Sequence, residues 1–200
     1  MPYFPSQPSP APPLSRASVV VGLYGAMALG ALVLAAARGN PDVFRHGDPS
    51  VQMLVMGPLI GIAAGLTVVL VWRLLVRLYQ WARDLEVFFR DLLGSLTDRE
   101  IVTLALASAI GEEMLFRGAL MPWIGLWGQA LLFVPLHIAP HRRLVSWPIG
   151  ALLLGVGFGE LAILTGSLGA PIAAHFMINF CNIRSIIRPG RARPLYVSAR

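Results

Sequence analysis

Ile110-Gly111-Glu112-Glu113-Met114-Leu115-Phe116-Arg117 sets two adjacent carboxylates and an arginine inside an otherwise apolar run. A charge buried in lipid costs several kcal/mol, so intramembrane ionisable residues usually pair with one another and usually serve function. Glu113 and Arg117 stand four apart, in the favourable acid-before-base order for a helical pair. Glu112 falls about one residue round the helix and has no obvious local partner. The pattern predicts that Arg117 holds Glu113 while Glu112 is kept for chemistry.

The surrounding composition is that of an all-α integral membrane protein. Of 200 residues, 56% are hydrophobic and 13% charged, with a mean hydropathy of +0.68. The charged share is about half that of ordinary soluble domains. One cysteine, Cys181, excludes an internal disulfide and a multi-thiolate metal site. The net charge of +6 comes wholly from arginine. Those arginines flank apolar spans without an aromatic reading surface, so they fit membrane orientation and not a nucleic-acid partner.

Outward from the glutamates, the chain reads as six spans. Residues 1–15 are proline-rich and read as a disordered tail. Residues 16–100 hold two N-terminal spans, Ala17–Ala37 and Val51–Trp72, and an amphipathic stretch, Arg73–Gly94. Ala35 and Ala37 mimic a signal-peptidase site, but the apolar run is long for a secretory signal, so the span is read as retained. Gly57, Gly61 and Gly65 mark one face of the second span for close helix approach. In the amphipathic stretch, Leu74, Leu78, Trp81, Leu85, Phe88 and Leu92 form a stripe suited to the membrane surface or the flank of the bundle.

Residues 101–188 form a four-span core. Thr97-Asp98-Arg99-Glu100 has capping-box spacing, so the third span starts there and runs through Ile101–Met121. Pro122, Gly125 and Gly128, with Trp123 and Trp127 at headgroup level, signal a turn at the interface. The fourth span then reaches about Ala139, the fifth is Pro148–Leu164, and Thr165-Gly166-Ser167 turns into the sixth, Leu168–Ile187. Residues 189–200 are a basic tail. Six spans gather Arg16, the arginines from Arg73 to Arg99, Arg142, Arg143 and those from Arg188 onward on one side, against Arg38 and Arg45 on the other. The positive-inside rule makes the first side cytoplasmic and puts both termini there, as expected in a bacterial inner membrane.

Helical rise allows Glu112, His137, His175 and Asn179, from three different helices, to share one layer near mid-membrane. His175 and Asn179, four apart, face the same way. Glu160 falls at similar depth, with a minor structural role as its expectation and pairing with Arg117 or proton relay as the alternatives. Phe133 reads as packing, His46 and His141 as solvated loop residues, and Arg184 as snorkelling to the surface.

Taken together, Glu112-Glu113-x-x-x-Arg117, Phe133-x-x-x-His137 and His175-x-x-x-Asn179 resemble the CPBP family of intramembrane endopeptidases, which includes CAAX prenyl proteases and bacterial Abi and bacteriocin-processing relatives. The turn Thr165–Pro171 also looks like the family's, although Leu164 stands where an arginine is often seen. The resemblance implies peptide-bond hydrolysis within the bilayer, with Glu112 activating water, His137 positioning it, and His175 and Asn179 stabilising the oxyanion. Glu113, Arg117 and Phe133 would support them. The partners implied are membrane lipids and a membrane-anchored protein or peptide.

Zinc held by Glu112, His137 and His175 is the alternative chemistry, since three ligands and an open position define a catalytic zinc site. The helical His-Glu-x-x-His pattern is missing, and a metal-free glutamate mechanism without cofactor is preferred. Two other classes compete: a proton-coupled transporter using the same polar residues, and a non-catalytic immunity or interaction protein. No internal repeat favours the transporter.

Overall fold

Seven α-helices make up the computed structural model, which describes residues 16–138 and 144–188. They are α1 (Arg16–Ala37), α2 (Val51–Leu78), α3 (Gln80–Leu93), α4 (Asp98–Glu113), α5 (Met121–Phe133), α6 (Ser146–Thr165) and α7 (Gly169–Ile187). A π-helical stretch, Met114–Leu120, joins α4 to α5, and a 3-10 turn, Val134–His137, follows α5. The proline-rich and basic tails and His141 lie outside the described residues.

The protein is an all-α, multi-span membrane protein. Among the described residues, four helical stretches are long and apolar enough to cross a bilayer: Ser18–Ala37, Val51–Leu78, Asp98–His137 and Ser146–Thr165. Their outer faces carry large apolar side chains such as Leu29, Leu70 and Leu153, which a soluble protein would bury. The inner faces are lined by small residues, including Ala31, Ala105, Ala130 and Ala162. Small side chains let helix backbones come close where lipid supplies no hydrophobic drive between helices.

Asp98–His137 is not one straight rod. Gly125 has φ 76° and ψ 174°, outside helical space, and the rings of Phe116 and Phe133 lie 5.0 Å apart. Seventeen residues of straight helix would separate them by about 25 Å. The chain therefore doubles back at Gly125, a positive-φ position that glycine adopts without steric cost. The turn expected of Pro122, Gly125 and Gly128 falls at Gly125.

Thr97 and Glu100 form the expected capping box, with Thr97 Oγ1 accepting from the Glu100 amide and Glu100 Oε2 accepting from that of Thr97. Gly166 closes α6 in the left-handed conformation at φ 65°. The glycine stripe of α2 lies against the start of α7. A Cβ on Gly61 would collide with the carbonyl of Ala170, and one on Gly65 would stand 2.7 Å from that of Ala174.

Two expectations need correction. The second span does not stop at Trp72: α2 continues to Leu78, because neither glycine nor proline intervenes, and breaks at Tyr79 in extended conformation (φ −122°, ψ 136°). The stripe read across Leu74–Leu92 is thus split between two helices. Leu85 is buried, whereas Leu74, Leu78, Trp81 and Leu92 face outward. The polar side chains of this region tie α3 to the bundle. Arg73 hydrogen-bonds Glu86, Ser185 and the Cys181 carbonyl, and Arg90 donates to the Ile186 carbonyl.

The loop between α1 and α2 is also less solvated than expected. Its amides and carbonyls pair with the α6–α7 turn through His46 to Gly166 and Leu168 to Phe44, both 2.9 Å. His46 is half-buried, with an Nε2 that has no hydrogen-bond partner. Burial, then the nearby Arg38 charge, push this imidazole below its ordinary pKa, with Asp42 opposing.

Candidate active site

Glu113 and Arg117 are both fully buried and form the expected pair, Arg117 Nη1 to Glu113 Oε1 at 3.0 Å. The same Oε1 accepts from His175 Nδ1 at 2.8 Å. Arg117 Nη2 donates to the Gly155 carbonyl at 3.2 Å, as does Gln129 Nε2 at 2.9 Å. The guanidinium lies 4.7 Å from the Phe133 ring centre and 5.3 Å from that of Phe158. A charge that interior needs such a shell, since an uncompensated buried ion is strongly destabilising. Phe133 accordingly packs against a cation, and its carbonyl orients His137 through Nδ1 at 3.0 Å.

These contacts fix how the catalytic candidates present themselves. A carboxylate paired with arginine only accepts, so His175 carries its proton on Nδ1 and turns Nε2 toward Glu112. The Nε2 to Glu112 Oε2 distance is 3.8 Å, just beyond a direct hydrogen bond. Glu112 Oε2 is buried with no hydrogen-bond partner in the protein. Asn179 Nδ2 donates to Ser108 Oγ at 2.9 Å, one turn before Glu112. His137 likewise donates Nδ1–H to a carbonyl and keeps Nε2 for another partner.

Glu112, His137, His175 and Asn179 all line one cavity of about 430 Å³. The walls away from them are apolar and aromatic, with Trp72, Phe89 and Trp147 among them. The segment carrying the carboxylates is where the helix changes from α to π, a widening that recurs at functional sites. Glu160 takes no part: it is exposed on α6, and Arg117 makes its bonds to Glu113 and Gly155 instead. Arg184 is exposed near the end of α7, its guanidinium 5.9 Å from the Phe180 ring centre.

Three site residues escaped the reading of the sequence. Ser108 shares the face of Glu112 by helical period and could have been found that way. Gln129 is fully buried, and its amide reinforces the Arg117 shell. Tyr24 of α1 lines the same cavity as Glu112. It stands in a charge-free span with no local mark to distinguish it. Among the described residues, no three His, Cys, Asp or Glu side chains are grouped as a metal ion requires, so the donor set does not favour the zinc alternative at Glu112, His137 and His175.

The matching family model is described as Type II CAAX prenyl endopeptidase Rce1-like and covers residues 99–181. Homology to the CAAX protease family therefore extends over part of the chain, the part that carries Glu112, His137, His175 and Asn179. A protein of Bacillus subtilis (strain 168), YpbD, described as uncharacterized, is 40% identical over 89 residues, which cover 42% of this chain and 46% of that protein. The chain thus matches less than half the length of this relative. No solved structure matches.

Proposed function

We propose that the protein is an intramembrane endopeptidase of glutamate type that hydrolyses a peptide bond of a membrane-anchored protein or peptide. The observation that carries the reading is the buried, unpartnered Oε2 of Glu112 facing Nε2 of His175 across 3.8 Å. A carboxylate oxygen in that position is built to accept a proton from water. Glu112 takes it as the water oxygen bonds to the scissile carbonyl carbon, and later returns it to the departing amine as the C–N bond breaks. His137, held by Phe133, orients the water through Nε2.

His175 and Asn179 receive the oxyanion. Asn179 has a second amide hydrogen beyond the one given to Ser108. His175 can donate from Nε2 only as imidazolium, a charge that Glu113 on Nδ1 supports. Donors fixed in a dry site are worth far more than in water. The bundle makes six passes with α3 along the cytoplasmic surface. Arg188 against Asp98 (3.0 Å) at one end, and the α1–α2 loop against the α6–α7 turn at the other, support that alternation.

The test compares membrane-protein termini in cells carrying wild type or Glu112→Gln. Termini that depend on Glu112 are expected; identical sets from the two strains sink the proposal. Altered ion flux in their place would indicate the transporter reading.

A further inference from the structure

Two polar contacts cross from α4 to α7 on the wall of the cavity, like rungs of a ladder. Glu112 faces His175 at 3.8 Å, and one turn earlier on α4 Ser108 Oγ accepts from Asn179 Nδ2 at 2.9 Å. The numbers run in opposite directions, 112 with 175 and 108 with 179, as in antiparallel helices. All four residues line the same cavity. Side chains four apart on a helix stand about 5–6 Å from one another. The proposed base and the proposed oxyanion donor are thus spaced by one turn of the same two helices.

Ser108 is buried, and its hydroxyl hydrogen goes to the Ala105 carbonyl at 3.2 Å. This is a local back-bond of the kind serine makes within helices. A hydroxyl has one hydrogen to give, so toward α7 this oxygen can only accept. The network therefore decides which way the Asn179 amide faces: its nitrogen turns to Ser108 and its carbonyl oxygen turns away. Among the described residues, Ser108 is the hydrogen-bond partner of that side chain. The choice matters for an oxyanion, which the Nδ2 hydrogens attract and Oδ1 repels. The last torsion of asparagine is broad and roughly two-fold, so an amide held by nothing presents either edge.

We infer that Ser108 is a positioning residue for Asn179: by accepting one amide hydrogen it holds the amide in the orientation that offers the other to the oxyanion. The step it serves rests on the peptidase reading, but the orientation can be tested without turnover. The asparagines of the chain are Asn40, Asn179 and Asn182. Asparagine labelled at the side-chain nitrogen therefore gives a simple proton–nitrogen correlation spectrum of the full chain in phosphatidylcholine nanodiscs. The amide pair lost in Asn179→Leu belongs to position 179. One proton of that pair is expected downfield in wild type, through its bond to Ser108, and moves upfield in Ser108→Ala. Ser108→Cys, similar in size but a weak acceptor, should move it the same way. The cysteine variant separates the lost bond from lost volume and serves where the alanine variant packs poorly.

With the membrane protein whose new terminus depends on Glu112 as substrate, Ser108→Ala lowers kcat about tenfold and leaves KM unchanged. That is less than the roughly 10²–10³-fold that follows removal of an oxyanion donor itself. An amide pair unmoved in both variants overturns the inference. So does a wild-type kcat in a folded Ser108→Ala protein. A raised KM at unchanged kcat overturns it too, since Ser108 would then contact the substrate in the ground state. Upfield shifts in a protein that cleaves nothing would uphold the aiming of the amide and refute the peptidase reading, so the two failures are separable.

Discussion

The seam between α2 and α7 and the polar cluster between α4 and α7 solve the same problem in opposite ways. At the seam, Gly61 and Gly65 bring backbones together against Ala170 and Ala174 with no charge involved. One residue past Ala174 on α7, His175 meets Glu112 and Glu113, and Arg117 is buried behind them. The seam shows that this fold can join helices without ionisable groups. An ion cluster whose replacement by apolar packing is often neutral or stabilising is therefore poorly explained as glue. The contrast argues that the charges are there for reactivity.

The sharpest way to break the comparison is Glu112→Gln. It should reduce cleavage on the order of 10³-fold, within the range attributed to a general base, while the melting temperature in detergent stays near wild type. A large loss of stability would return Glu112 to a structural role. Next in size, Arg117→Met leaves Glu113 buried without its cation and should destabilise by about 3–5 kcal/mol. Chemical unfolding in mixed micelles reads that loss, and restoration of stability by adding Glu113→Gln would show that the orphaned charge caused it.

Gly61→Ala probes the other region. The added methyl meets the Ala170 carbonyl, and a cost of about 1–3 kcal/mol is expected from overpacking. Activity per folded molecule should hold, because the seam does not touch the cavity chemistry; a selective fall in kcat would mean that the two regions are coupled. The smallest effect belongs to His46. Its pKa is lowered on folding, so the unfolded chain binds its proton first, and the stability it contributes is present above its ordinary value of 6.5 and lost as pH falls below it. His46→Asn should flatten that part of the stability profile, read as thermal midpoint against pH. An unchanged profile would clear His46 of the effect.

Much of the site was legible because its signals are local. The capping box at Thr97, the Glu113–Arg117 pair and the glycine stripe each depend on spacing along a helix, which the sequence states directly. The turn at Gly125 was legible as well, from residue types that interrupt helices. The length of α2 was misread because the amphipathic stripe from residue 73 onward reads as a helix of its own, although nothing stops α2 before Tyr79. His46 was misread because a loop's polarity says little about which groups it pins beneath itself.

By itself, the sequence determined that this is a multi-span helical membrane protein with an acid pair, two histidines and an amide set in apolar helices. Hydropathy and periodicity are one-dimensional quantities and survive without coordinates. Only the tertiary structure decided that His175 bonds Glu113 rather than Glu112, that Asn179 leans on Ser108, and that Tyr24 lines the cavity with Glu112. Those choices turn on which helix faces meet and on a change from α to π winding that alters side-chain direction after Glu113. Such facts come from packing between distant segments, which no local pattern encodes.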